Sequence, residues 1–123
     1  MSNSNLSIFE IKQVDEIEKD FKKIHVQGFG EDFERFLKAL PGMLEEKEFY
    51  RYQGFVEISG LGKVVGNVYK ARKVHCKSLH CKDKFRVIFQ VFNKKVRVIE
   101  VYYKGNRENE DRQRILKYCQ TPP

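Results

Sequence analysis

Apolar and polar positions alternate most sharply between Phe85 and Arg107, FRVIFQVFNKKVRVIEVYYKGNR. Phe85, Val87, Phe89 and Val91 alternate with Arg86, Ile88, Gln90 and Phe92, a period of two that gives a strand one apolar and one mixed face. Asn93, Lys94 and Lys95 supply a turn, and a β-branched run follows from Val96 to Tyr103. So short a connection joins antiparallel strands. Upstream, residues 1 to 5 are polar and expected to be loose, and Ile8, Phe9 and Ile11 predict a short first strand. With Asp15 as N-cap, Ile17, Phe21 and Ile24 then recur at helical spacing. Gly28 and Gly30 punctuate the chain before a second helix, which opens at Glu31 or Asp32, carries Phe33, Phe36, Leu37 and Leu40, and ends at Pro41-Gly42. Glu45, Glu46 and Glu48 give this pair an acidic outer surface.

Residues 49 to 58 follow neither period and are expected to be irregular or weakly extended. Ser59 to Gly62 reads as a turn, Val64 to Val74 as another alternating strand, and Glu108 to Tyr118 as a short terminal helix with Ile115 and Leu116 inward. The expected order is β-α-α-β-β-β with a short C-terminal helix. It describes an α+β fold in which an antiparallel sheet packs on a helix hairpin and leaves its other face open to solvent.

The length, 123 residues, suits one domain spanning 1–123 that buries a core without metal or disulfide staples. No apolar run is long enough to cross a bilayer. The N-terminus lacks the pattern of a secretory signal, so a cytoplasmic location is expected. The formal net charge of +7 is distributed unevenly. Residues 1–62 carry 8 Lys/Arg against 12 Asp/Glu, residues 63–107 carry 13 against 2, and residues 108–123 carry 3 against 3. The whole surplus falls on the strand-rich stretch, where it would attract a polyanion such as nucleic acid.

Strand geometry sharpens this. Lys70 and Arg72 share one face of their strand, Arg86 and Gln90 one face of the next, and Glu100 and Lys104 one face of the last. Cations that meet on adjacent strands repel one another unless an anion sits among them.

The segments Val68-Tyr69-Lys70-Ala71-Arg72, Phe85-Arg86-Val87-Ile88-Phe89 and Val98-Ile99-Glu100-Val101-Tyr102-Tyr103-Lys104-Gly105-Asn106-Arg107, in this order after a helix pair, resemble the RelE/ParE superfamily of toxins. The resemblance implies a RelE-like fold and the toxin of a type II toxin–antitoxin system. Such a toxin is an mRNA interferase, an endoribonuclease that works without metal or other cofactor, associates with the ribosome and is neutralised by a cognate antitoxin. It acts on messenger RNA, with neither a membrane nor a small-molecule substrate involved. The reaction is attack of a ribose 2′-hydroxyl on the adjacent phosphate, which needs a proton acceptor, charge stabilisation and a proton donor for the leaving oxygen. By the same resemblance Lys70, Arg72, Arg86, Lys104 and Arg107 are the catalytic candidates. Arg86 would stabilise the phosphate and Lys70 or Arg72 accept the proton. Lys73, Lys77, Lys82, Lys84, Gln90 and Asn106 are the candidate RNA contacts. RelE proper carries a tyrosine shortly after its final arginine. This chain has Glu108-Asn109-Glu110-Asp111-Arg112 there, so Glu108 or Glu110 would take over that function. Two alternatives are a ParE-like inhibitor that binds DNA gyrase without catalysis and a nucleic-acid-binding module that catalyses nothing.

His75-Cys76 and His80-Cys81, two pairs five residues apart, suggest zinc, but adjacent side chains on one backbone rarely reach the same ion, and no metal is expected. A Cys76–Cys81 disulfide is geometrically possible in a hairpin loop, although a reducing cytosol opposes it and Cys119 makes the count odd.

Overall fold

The structure, a computed structural model, describes residues 9–45, 54–81, 83–107 and 109–123. Its elements are β1 (Glu10–Gln13), α1 (Ile17–Lys23), α2 (Phe29–Glu45), β2 (Phe55–Glu57), β3 (Asn67–Ala71), β4 (Phe85–Phe92), β5 (Lys95–Tyr103) and α3 (Arg112–Cys119). The five strands form one sheet in the order β1-β5-β4-β3-β2. The α+β architecture and the helix pair before the central strands match the expectation. No helix among the described residues is long and apolar enough to cross a membrane.

The central hairpin is built as the alternation requires. Phe92 pairs with Lys95 across Asn93 and Lys94, whose φ values of 50° and 64° are those of a type I′ turn. Its twist matches that of the flanking strands. Asparagine tolerates this conformation, whereas lysine pays a steric cost for it.

Several boundaries differ from the periodic reading, each for a local reason. β3 begins at Asn67 rather than Val64 because Gly66 takes a φ of 73° and comes so close to β4 that a Cβ there would lie 2.2 Å from the Val91 carbonyl oxygen. The stretch expected to be irregular contains β2, which pairs antiparallel with β3; residues 49–53 of it, like Ile8 of the expected first strand, lie outside the described residues. β1 is parallel to β5, so the sheet is mixed rather than antiparallel throughout. In α1 the N-cap position is Glu16, whose side chain makes no cap bond. α2 starts at Phe29 and runs through Pro41 to Glu45, because Leu40 and Leu44 continue its buried stripe. α3 starts at Arg112, where the Asp111 carboxylate accepts from the Arg114 amide at 3.1 Å.

One sheet face packs on the helix pair. Phe29 of α2 stacks on Phe85 with ring centroids 3.9 Å apart, and Phe21 of α1 meets Phe33 edge-on at 5.0 Å. The opposite face was expected to be open. The structure instead lays α3 and the C-terminal residues over part of it: Ile115 and Cys119 are fully buried, and the Gln90 amide donates to the carbonyls of Val65, Cys119 and Thr121. Covering this face buries Val68, Ile88 and Ile99, which a wet surface would have left in water.

Two polar anchors hold α3 in place. A register shift between Ile88 and Phe89 leaves Ile99 bulged out of β5, and Arg114 takes its carbonyl at 3.1 Å. The same guanidinium grips Asp20 of α1 at 2.7 and 3.0 Å, and Asp20 accepts the Val101 amide at 3.1 Å on the β5 edge beyond the reach of β1. At the far end of α3, Tyr118 and Lys117 both donate to the Glu16 carboxylate. Those bonds, Tyr118's first, draw Glu16 down from an ordinary 4.5 to about 2.

Lys94→Gly should relieve the left-handed backbone, offset in part by the flexibility of glycine and by loss of the Lys94 contact with the Phe9 ring. The net effect expected in urea unfolding is a stabilisation of about 0.5 kcal/mol. A carboxylate held below its unfolded value stabilises the fold above that value and ceases to do so as pH falls through the folded one. Melting temperature should therefore fall between the ordinary 4.5 and about 2, with a shallower fall in Tyr118→Phe.

Candidate functional site

The pairings Ala71 with Val87 and Phe85 with Tyr103 bring the exit of β3, the entry of β4 and the exit of β5 to one end of the sheet. The chain leading into β2 joins them there, since the Arg72 amide donates to the Gly54 carbonyl at 2.9 Å. The result is an open cleft of about 480 Å³ lined by Gly54, Phe55, Val56, Arg72, Lys73, Asp83, Arg86 and Lys104. Four cations and one carboxylate face a single space. Such a surface has a positive field that counterions or an anionic ligand must neutralise.

Arg86 forms the fixed part of the site. It is buried, and its Nη1 donates to the carbonyls of Asp83 at 2.8 Å, Arg72 at 3.3 Å and Phe85 at 3.3 Å. Backbone oxygens orient the guanidinium without cancelling its charge. Among the described residues no carboxylate forms an ion pair with Arg72, Arg86 or Lys104. Arg72 and Lys104 are exposed, while Arg86 forms the floor.

The other two catalytic candidates are engaged internally. Lys70 lies on β3 two residues before Arg72 but gives its ammonium to Glu110 at 2.8 Å. Burial would raise the Glu110 carboxyl, yet the bond from Lys70 and the charges of Lys70 and Arg112 bring it below the usual carboxylate range. Arg107 lies 2.6 Å from Glu100 and sits over the Tyr102 ring at 5.0 Å. Glu100 is fully buried and also accepts the Asp111 amide at 2.9 Å. Burial raises its carboxyl above the ordinary range, against the pull of that amide and of Arg107. Tyr102 lies on the same face, buried, with its hydroxyl unpartnered among the described residues. Burial, and next the Glu110 and Glu100 charges, push that phenol up to about 12, so it stays neutral.

The candidate RNA contacts scatter. Lys73 lines the cleft. Lys77 and Lys84 are exposed nearby, the first with its amide on the Asp32 carboxylate at 3.3 Å and the second with its carbonyl on the Lys104 amide at 2.7 Å. Lys82 and Glu108 lie outside the described residues. Asn106 donates to the Lys23 carbonyl at 3.1 Å. Gln90 departs from the expectation outright. It is fully buried and holds the C-terminal residues, because α3 lies over the face on which alternation put it. Periodicity did not identify Glu100 and Glu110 as the internal partners of the two cations. The available signal was Glu100 itself, one of 2 acidic residues in the basic stretch and set within an apolar run. Among the described residues no group of three His, Cys, Asp or Glu side chains is placed to hold a metal.

No protein-family model matches the chain, and no curated protein is significantly similar to it in sequence. Its fold is similar to that of a chain in the crystal structure of the archaeal RelE–RelB complex from Pyrococcus horikoshii OT3. That similarity has a TM-score of 0.53 at 15% identity and covers 80% of this chain and 97% of that one. The fold is RelE-like.

Glu110→Gln should weaken the bond that holds Lys70 and cost about 2 kcal/mol of stability in denaturant unfolding. The same variant should bind a single-stranded polyanion more tightly at low salt, since it removes a negative charge beside the cleft.

Proposed function

We propose that the cleft binds the RNA backbone and that this chain is the toxin of a toxin–antitoxin pair, an mRNA interferase that acts on translated messages. The observation that carries this reading is the meeting of Arg72, Arg86 and Lys104 in one cleft with no carboxylate partner among the described residues. The RelE-like fold supports it by analogy, as does the presence of RelB in the complex to which the fold is similar. By that analogy the partners are a cognate antitoxin, messenger RNA and the ribosome, and the setting is the cytoplasm.

In the proposed reaction the ribose 2′-oxygen forms a bond to the adjacent phosphorus and the bond to the 5′-oxygen breaks. The products are a 2′,3′-cyclic phosphate and a free 5′-hydroxyl, whose leaving oxygen takes its proton from solvent. Arg86, preset by three carbonyls, meets the charge that develops on the phosphate oxygens without reorganising during the step. Arg72 and Lys104 hold the flanking backbone, with Lys73 beside them. We assign proton transfer to the Lys70–Glu110 pair, in which the ionised carboxylate is the acceptor and Lys70 positions it. Glu110 then stands in for the tyrosine of RelE proper, and Arg107, tied to Glu100, braces the segment that carries it.

A second reading, an inhibitor that binds gyrase or nucleic acid without catalysis, is favoured by the internal engagement of both Lys70 and Arg107. Induction in a bacterium with mapping of transcript ends decides between the two. New ends inside translated frames are expected; DNA damage without them would mean the gyrase reading, and neither would leave a binding module. Arg86→Ala should lower cleavage by about 10²-fold or more, the usual cost of losing a preorganised charge-stabilising donor. Because that residue is buried, exposed Lys104→Ala gives an independent check. It should reduce the slope of log affinity against log salt for single-stranded RNA by about 0.7.

A further inference from the structure

Cys76 and Cys81 are both free thiols and lie opposite each other on the two arms of the β3–β4 connection. The Cys76 amide donates to the Cys81 carbonyl at 2.8 Å, and the Cys81 amide returns a bond to the Cys76 carbonyl at 3.2 Å. This double exchange defines the hydrogen-bonded pair of an antiparallel ladder, in which Cα atoms stand about 5.5 Å apart and side chains project to the same side. Disulfides span Cα separations of roughly 4.4 to 6.8 Å. The remaining thiol is no rival. Cys119 is fully buried on α3 beside Gln90, at the opposite end of the sheet from the entry of β4.

We propose that Cys76 and Cys81 are the site of a reversible intramolecular disulfide, formed by exchange with a small-molecule disulfide, that closes the loop of residues 77–80. Cys81, the more exposed of the two, gives up its proton to solvent, and its thiolate attacks one sulfur of the small disulfide, expelling a first thiolate. The Cys76 sulfur, deprotonated in its turn, then attacks the Cys81 sulfur and expels the second. Two protein thiols are oxidised and one small disulfide is reduced to two thiols. Dithiothreitol reverses the exchange.

The bond would matter to the cleft through Arg86. Its Nη1 already ties the two arms together at their base, between the carbonyls of Arg72 and Asp83. A disulfide further out would close the ring around that seat. The modification itself is independent of what the cleft binds.

The test is incubation of the full chain with oxidised glutathione at about pH 8.5, where thiolate is more abundant. The expected result is a loss of two hydrogens in mass, a fall from three free thiols to one, and a Cys76–Cys81 link in the non-reducing peptide map. Melting temperature should rise by a few degrees, and exchange of the Cys76 and Cys81 amide hydrogens should slow. Cys119→Ser should leave the reaction intact, and Cys76→Ser should stop at a glutathione adduct on Cys81. Persistence of all three thiols, a stable adduct on Cys81 in the wild-type chain, or a link that involves Cys119 would overturn the proposal.

Discussion

The carboxylate of Asp20 is the contact on which the arrangement of this molecule depends. It is buried, and in water it would keep its charge solvated at no cost. Inside the fold it must be paired and hydrogen-bonded, and it meets both conditions with the Arg114 guanidinium and the Val101 amide. Three elements are joined in this way. α1 closes the β5 edge where β1 ends, the β5 bulge gives its free carbonyl to Arg114, and α3 is held over the sheet face that the helix pair leaves bare. Together with the Glu16 anchor at the far end of α3 and the burial of Ile115 and Cys119, this clamp keeps the C-terminal helix over Ile88, Gln90 and Ile99.

The five cations proposed for catalysis fall into two sets. Two of them are paired with carboxylates: Lys70 takes Glu110, and Arg107 takes Glu100. Arg72, Arg86 and Lys104, at the end of the sheet, have no ion-pair partner among the described residues. Arg72 and Lys104 face solvent there, with Arg86 beneath them on backbone carbonyls. A cluster of this kind is electrostatically unfavourable by itself and becomes favourable when an anion enters. Lys70 and Arg107, by contrast, already have carboxylate partners.

Much of this was legible in the chain. The period-2 run from Phe85 to Tyr103 and the Asn93-Lys94 turn determine the central hairpin, since alternation and turn chemistry are local properties. The spacing of Phe33, Phe36 and Leu40 determines a helix with one buried stripe, and the positional charge imbalance determines that the sheet bears the basic surface. The parallel placement of β1, the short β2 and the bulge at Ile99 are pairings between distant segments, which no local period encodes. The fate of each polar side chain on the second face belongs to the same class. Alternation puts Lys70, Arg86, Gln90 and Glu100 on one side and says nothing of what lies above them. The descent of α3, guided by Arg114 onto Asp20 94 positions earlier, decided that Gln90 would be internal, and only the pairing of distant segments decided that Lys70 would meet Glu110 and that Arg86 would line the cleft.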